Sequence, residues 1–375
     1  MNYKTLNDLP DVNGVPVVVR LDLNVPVQNG VVMADYRIRK ALPTIQFLKK
    51  KGAKIIILSH IEGGTDSLMP VYEFMKKSME LSFCNDCLEQ GAQVVAAMKA
   101  GDVLLCENLR LYDGEKKNDP AFAKSLAALG KIYVNDGFSV SHRNHASIVG
   151  IPTFIPGYIG LQFEDEIKNL SKAFSPQHPF VFILGGAKFE TKIPLIDKFL
   201  PTADSIIIGG ALANDIFKAS GWNVGTSLVS PTPPDMTVYV ESDKILTPSD
   251  VIVEKPDGSR AIKEATHVAH DEKICDAGPQ SIKFMKTIVA QASCILWNGP
   301  LGNYENGYKE PTLKLAEMIA ESSALSIVGG GDTLGAIAEL GIEEKFGFVS
   351  TGGGAMLDYL ASETLPGLDA LKNSK

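Results

Sequence analysis

Several protein classes are excluded by what this chain contains little of. Five cysteines in 375 residues (Cys84, Cys87, Cys106, Cys275 and Cys294) are an odd, sparse set, which argues for reduced thiols and against a disulfide framework. Cys84 and Cys87 form a C-x-x-C with no second pair of comparable spacing nearby, so two packed thiols are expected rather than a zinc site. Cations are outnumbered, 36 Lys+Arg against 44 Asp+Glu for a net charge of −8, the wrong balance for coating a polyanion, and no nucleic-acid partner is expected. No apolar run reaches the ~20 residues that span a bilayer. The opening Met1-Asn2-Tyr3-Lys4-Thr5-Leu6-Asn7-Asp8 lacks the apolar stretch of a secretory signal. No membrane partner and a cytoplasmic location are therefore expected. No G-x-x-x-x-G-K-[ST] occurs, which excludes a P-loop. No G-x-G-x-x-G follows a strand, which counts against a dinucleotide dehydrogenase. No G-x-S-x-G marks a nucleophile elbow. Repeats of solenoid period and low-complexity tracts are also missing.

What remains is ordinary globular composition, 45% hydrophobic and 21% charged, with a length near 2.5 times a ~150-residue domain, so two domains are expected. Short apolar runs recur at Val15–Leu21, Lys54–Ser59, Val103–Leu105, Ile132–Asn135, Phe180–Leu184, Ser205–Ile208, Val251–Val253, Cys294–Trp297, Leu325–Val328 and Phe346–Ser350. They are continuous rather than alternating, the mark of parallel strands covered on both faces. Amphipathic segments such as Asp35–Lys51, Asp119–Ala128 and Pro311–Ser322 separate them. Alternating β and α units imply an α/β fold with right-handed crossovers. Ten strands are many for one such sheet, so the expectation is two doubly wound, parallel, Rossmann-like sheets. Gly and Pro concentrate over 150–160, and Ser175-Pro176-Gln177-His178-Pro179 breaks the following helix. The expected boundaries are a first domain over 1–157, a connecting helix over 158–174 and a second domain over 175–360, with Pro231-Thr232-Pro233-Pro234 as a surface loop.

Ligands of open α/β sheets bind at the carboxyl ends of the strands, and the two halves differ there. The first half ends its strands in Arg20-Leu21-Asp22-Leu23-Asn24, Ser59-His60, Glu107-Asn108-Leu109-Arg110 and Asn135-Asp136-Gly137, followed by Ser141-His142-Arg143-Asn144-His145. Only six arginines occur in the chain, and five precede residue 144. Arg recognises phosphate and carboxylate bidentately, so this half is expected to bind a small, multiply charged anion. Arg39 and Arg260 are expected instead to be salt-bridged helix residues. Among the histidines, His60 is expected to meet ligand and His142 and His145 to bond structurally. The second half ends its strands in Gly185-Gly186-Ala187-Lys188, Gly209-Gly210-Ala211, Asn298-Gly299-Pro300, Gly329-Gly330-Gly331-Asp332-Thr333 and Gly352-Gly353-Gly354. Glycine admits close approach of a ligand to backbone N–H groups, and the helix that follows aims its positive end at the same place. Five such turns on one sheet edge imply a phosphate-binding surface. Lys188 and Lys192, four apart in the first turns of a helix, are electrostatically misplaced unless an anion sits there. Asp332 among phosphate-binding amides implies a bridging Mg²⁺, and it also suits a helix N-cap.

These segments, in this order and spacing, resemble the phosphoglycerate kinase family over essentially the whole length. The match includes Arg20–Pro26, Asp35-Tyr36-Arg37-Ile38, Ser59-His60, Glu107-Asn108-Leu109-Arg110 and Ser141–Ser147. It continues through Gly185–Lys188, Lys192, Asp276-Ala277-Gly278-Pro279, Trp297-Asn298-Gly299-Pro300, Gly330–Thr333 and Gly352–Ala355. The resemblance implies a two-lobed, usually monomeric enzyme with a cleft between its domains. It would transfer phosphate reversibly between 1,3-bisphosphoglycerate and ADP with Mg²⁺, giving 3-phosphoglycerate and ATP. It implies a phosphoglycerate site at Asp22, Asn24, Arg37, His60, Arg110 and Arg143. It implies a nucleotide site at Lys188, Lys192, Gly209, Gly210, Asn298, Glu305, Gly330, Gly331, Asp332 and Thr333, with Glu305 on the ribose and Asp332 associated with the metal. Arg37 and Lys192 would flank the transferred group, and the amides of Gly330, Gly331, Gly352 and Gly353 would complete a cradle. Residues 361–375 would return to the first domain. Two readings of other classes are distinguished by assay: a non-catalytic nucleotide-binding protein, by a coupled assay with 3-phosphoglycerate and ATP, and a dehydrogenase with an unusual cofactor loop, by NAD binding.

The chain departs from the family's Ser-His-Leu-Gly-Arg-Pro at Ser59-His60-Ile61-Glu62-Gly63-Gly64. A substrate-facing arginine is replaced by Gly63, and Glu62 adds negative charge. If the exchange weakens substrate binding, Gly63→Arg lowers the KM for 3-phosphoglycerate, and an unchanged or raised KM overturns this.

Overall fold

Consecutive β-branched residues give the chain its two main sheets. The structure, a computed structural model, describes residues 3–62, 65–187, 189 and 192–375. It divides into two compact units, one of residues Met1–Lys168 with Ser362–Lys375, the other of residues Asn169–Ala361.

In the first unit six strands form a parallel sheet in the spatial order Ser82–Cys84, Val103–Cys106, Lys54–Leu58, Pro16–Arg20, Ile132–Asn135 and Gly157–Ile159. Val17, Val18 and Val19 and Ile55, Ile56 and Ile57 are all at 0% exposure. Both faces are thus covered, which explains the continuous rather than alternating apolar runs. One face, with Val17, Val19, Ile55 and Ile57, shares a core with Ile38, Ala41, Ile45 and Leu48 of the helix Tyr36–Lys50, the three-to-four spacing of a single helical stripe. The helix Pro120–Ala127 starts where the sequence says it should, with the Asp119 carboxylate accepting from the Phe122 amide at 2.8 Å and Pro120 in the first turn. The C-terminal helix Pro366–Lys372 belongs to this unit. It buries Leu368 and Leu371, the Gly367 amide donates to the Ser141 carbonyl at 2.9 Å, and Ser374 Oγ accepts from the Gly157 amide at 3.1 Å.

The second unit has a parallel sheet in the order Ile245–Leu246, Ser205–Ile208, Phe180–Leu184, Cys294–Asn298, Leu325–Gly329 and Phe348–Val349. Beside it stands a three-stranded antiparallel sheet, Arg260–Glu264, Asp250–Glu254 and Lys273–Ala277. Here a sequence expectation fails, because the run Val251–Val253 is not a strand of the parallel sheet. In its outer strand coverage alternates, Arg260–Glu264 running exposed and half-buried by turns, and Val251 and Val253 are buried on either side of half-buried Ile252. That is the one-sided burial of an antiparallel sheet. The connecting helix also differs. Residues Gly157–Ile159 form the edge strand of the first sheet, the helix proper is Leu161–Leu170, and a 3₁₀ turn occupies Ser171–Phe174. Asp136 marks the delayed start, its Oδ1 accepting from the Phe163 amide at 3.0 Å.

In each parallel sheet the connections leave two central neighbours toward opposite sides, Pro16–Arg20 and Ile132–Asn135 in the first and Phe180–Leu184 and Cys294–Asn298 in the second. These are the switch points where α/β sheets open a crevice for ligand. Since Leu371 is 3% exposed and closes the first unit's core, Leu371→Ala is expected to cost about 2–5 kcal/mol of its stability, read as a lower midpoint in urea unfolding. A loss below about 1 kcal/mol would show that the C-terminal helix adds little.

Candidate active site

At the first switch point the strand ends gather a cluster of cations. Arg20, at 0% exposure, donates from Nε to Ser147 Oγ at 2.9 Å and lies with Nη2 3.1 Å from His60 Nδ1. Its Nη1 donates to the Leu21 carbonyl. Ser147 Oγ is in turn bonded to the buried Glu115 carboxylate at 2.6 Å, which is the counter-charge behind Arg20. Arg37 Nη1 pairs with Asp22 Oδ2 at 2.8 Å and donates to the Asn24 carbonyl at 3.1 Å. Asp22 also accepts from Ser139. Burial pushes the Asp22 pKa up, but Arg37 and the hydrogen bonds from Ser139 and from the Asn24 amide outweigh it and hold the carboxyl below its ordinary value.

Arg110 has a side chain only 7% exposed, and its Nε and Nη2 have no hydrogen-bond partner among the described residues. Burial, together with the charges of Arg143 and Arg20, lowers its pKa against the opposing pull of Glu62. Arg143 Nε stands 3.3 Å from His142 Nε2. Neighbouring guanidiniums with buried donors unsatisfied have the chemistry to accept an anion. A recess of about 500 Å³ is lined by Asn24, Tyr36, Arg37 and Glu62, the last of which pairs with Arg110. The sequence placed His60 among the ligand contacts. It is 2% exposed and held against Arg20, while Arg39 pairs with Asp35 on the surface at 3.0 Å. Gly63 lies outside the described residues.

At the second switch point the chain turns on close backbone contacts. A Cβ on Gly185 would stand 2.0 Å from the Pro300 carbonyl oxygen, so only glycine lets these two turns meet. Asn298 Oδ1 accepts from Lys192 Nζ at 2.9 Å, which aims the ammonium at the strand ends, and burial pushes the Lys192 pKa down to about 8. The helix after Gly185-Gly186 begins only at Ile193, with Pro194 in its first turn. Lys192 therefore stands at the cap position rather than inside the helix as expected, and Lys188 lies outside the described residues. Thr333 is fully buried and its hydroxyl accepts from the Gly299 amide at 2.9 Å, so it fastens the neighbouring turn. The Gly209 amide donates to the Leu184 carbonyl and the Gly210 amide to the Leu301 carbonyl, each at 2.9 Å. The Gly352 amide donates to Ser350 Oγ at 3.0 Å. Gly330 caps the helix Gly331–Leu340 at φ 104°, and Gly353 has φ 53°.

A cavity of about 570 Å³ opens beside these turns, and Gly186, Gly210, Pro300, Tyr304, Glu305 and Asp332 are among its lining residues. Asp332 stands in the first turn of the Gly331–Leu340 helix. Buried Asp276, also on the lining, has its pKa pushed up by burial to about 8. Arg260, expected as a salt-bridged helix residue, opens the strand Arg260–Glu264 instead and lies over the Tyr308 ring, 4.0 Å from its centre.

Sequence reasoning missed Glu115, Ser139 and Ser147, the groups that hold Arg20 and Asp22. Glu115 sits in the charged run Asp113–Lys117 and reads as solvated, because its partner is 32 residues away.

The histidines of the first unit carry a pH signature. Burial, then the charge of Arg20, pushes the His60 pKa down to about 2, and burial with the neighbouring guanidiniums pushes His145 down to about 4. An unfolded histidine takes up a proton near pH 6.5 while these refuse it. Their contribution is therefore complete above about pH 6.5 and is lost as the pH falls below it. The histidines' share of the unfolding free energy is expected to drop between pH 7 and 5, by up to ~1.4 kcal/mol per pH unit for each excluded proton, against the opposite slope of buried Asp136 and Asp276, whose raised pKa values take up protons on folding. His60→Gln should flatten that slope in urea titrations, and an unaltered slope would contradict the placement.

A family model described as phosphoglycerate kinase matches residues 6–363. The phosphoglycerate kinase of Dictyoglomus turgidum is 41% identical over 395 aligned positions covering 100% of both chains, and that of a Wolbachia strain from Drosophila simulans is 40% identical over 99% of both. The solved phosphoglycerate kinase of Coxiella burnetii covers 100% of both chains at a TM-score of 0.85 and 35% identity. That of Pyrococcus horikoshii covers 98% at 0.84 and 29%. With sequence and fold agreeing from end to end, the chain belongs to the phosphoglycerate kinase family, and its reaction is the reversible transfer of a phosphoryl group between 1,3-bisphosphoglycerate and ADP.

Proposed function

We propose that the arginine cluster of the first unit holds the phosphoglycerate and the glycine turns of the second hold the nucleotide. Asp22, Asn24, Arg37, His60, Arg110 and Arg143 form the first set; Lys188, Lys192, Gly209, Gly210, Asn298, Glu305, Gly330, Gly331, Asp332 and Thr333 form the second. The observation that carries this reading is the pair of buried, unsatisfied Arg110 donors beside Arg20 and Arg143, which suits a ligand bearing both phosphate and carboxylate. His60 and Thr333 contribute by holding Arg20 and the Gly299 turn, as their bonds indicate.

Transfer of a phosphoryl group asks for in-line alignment and neutralised charge rather than covalent catalysis. The acceptor oxygen is already ionised in either direction, so no general base is needed. Arg37 and Lys192 would bear on the moving group, with the amides of Gly330, Gly331, Gly352 and Gly353 as further donors. For Gly352 this requires release of its bond to Ser350. An anion beside Lys192 would raise its pKa from about 8 and keep the ammonium charged. Because the two sets lie on different units, the reaction requires both ligands to be brought into contact before transfer, with water shut out.

Asp332 fits a nucleotide-bound Mg²⁺. It is a carboxylate on the cavity lining at a helix start, and Mg²⁺ needs one or two such ligands besides phosphates and water. When bound, the ion would offset phosphate charge. We further propose that the enzyme acts as a monomer in the cytoplasm on small molecules alone. Among the described residues no helix is long and apolar enough to cross a membrane.

The test is a coupled assay with 3-phosphoglycerate and ATP. Arg37→Ala and Lys192→Ala are each expected to lower kcat by ~100-fold or more, as loss of one charge-stabilising donor does. A drop of less than about tenfold removes that residue from the catalytic role.

A further inference from the structure

Glu62 sits where the family motif carries no acid, and its side chain lies inside the cationic cluster. Its Oε1 is 3.4 Å from Arg110 Nε and 3.8 Å from Lys116 Nζ. Its amide donates to Asn24 Oδ1 at 2.9 Å, which ties it to the Asp22–Asn24 segment, and it lines the same recess as Arg37. We propose that Glu62 is a resident counter-ion that competes with the anionic substrate for Arg110 and Lys116, and so sets how tightly the first unit holds it. This rests on the reading of Arg110 as a substrate ligand.

The geometry favours a displaceable partner over a structural one. Arg110 Nε lies within Coulomb range of the carboxylate yet makes no hydrogen bond among the described residues, and Nη2 makes none either. A phosphate or carboxylate on the substrate would therefore supply the directed bonds that Glu62 does not. The guanidinium is 7% exposed and the carboxylate 44%, so the acid can swing into water while the cation stays. The other two carboxylates of the cluster have fixed duties, Asp22 on Arg37 and Ser139, and Glu115 on Ser147. Lys116, 58% exposed, is a second cation freed when Glu62 leaves.

The test uses the full chain, with steady-state kinetics of Glu62→Gln and Arg110→Ala at about 0.01 M and about 1 M ionic strength, where the Debye length is ~30 and ~3 Å. At low salt Glu62→Gln is expected to lower the KM for 3-phosphoglycerate about two- to fivefold, the scale of a half-exposed ion pair, while the KM for ATP stays put. The gain should fade at high salt, and inorganic sulfate should inhibit the variant more strongly than the parent. A KM for 3-phosphoglycerate that is unchanged or raised in Glu62→Gln overturns the inference. If Arg110→Ala raises that KM at the same time, the substrate reading survives and the counter-ion role alone is lost. If Arg110→Ala leaves it unchanged, the reading of the site itself fails.

Discussion

Guanidinium groups repel one another, and burial strengthens the repulsion by removing water. The first unit nevertheless sets Arg20 and Arg110 in surroundings where burial, and after it the charge of Arg143, lowers the pKa of each. It tolerates Arg20 because the Ser147–Glu115 relay supplies a buried counter-charge. Arg110 has only the half-exposed Glu62 as counter-charge, and among the described residues its Nε and Nη2 make no hydrogen bond. Under the proposed reading, the preference of the site for an anionic substrate follows from that imbalance. The neutral state of His60 belongs to the same field, since a second cation beside Arg20 would be opposed by burial and repulsion alike.

The second unit solves the complementary problem with backbone instead of side chains. Its glycine turns approach one another so closely that a single Cβ at Gly185 would collide with the Pro300 carbonyl. This compactness brings a lysine, a carboxamide and a helix start to one sheet edge. Lys192 is aimed by Asn298, and the Asn298–Gly299 turn is fastened by Thr333. One unit thus gathers discrete charges at its strand ends, and the other a cavity of about 570 Å³ edged by glycine turns.

How much of this was legible along the chain depended on the range of the interaction. The parallel strands were readable because burial on both faces leaves an unbroken apolar run, as at Val17–Val19 and Ile55–Ile57. The Val251–Val253 run looked the same over three residues but belongs to a one-sided antiparallel layer, and three residues are too few to reveal alternation. The edge strand Gly157–Ile159 was hidden in a Gly- and Pro-rich stretch, since an edge needs only one partner and little apolar density. The arginines at strand ends stood out by their scarcity elsewhere. Glu115 and Ser139 could not, because each acts on a residue far away in sequence and nothing local distinguishes it from a solvated neighbour.

The sequence alone determined the α/β class, the division into two halves, and the placing of cations after one set of strands and glycines after the other. All of these follow from local pattern, whether apolar period, turn chemistry or residue type. Tertiary structure alone decided which charges are compensated, because Coulomb energy depends on distance and burial rather than on order along the chain. Glu115 came to stand behind Arg20, Ser139 beside Asp22, and Glu62 against Arg110. It also decided that Thr333 would fasten a turn, since whether a hydroxyl faces protein or solvent is settled by packing between distant segments.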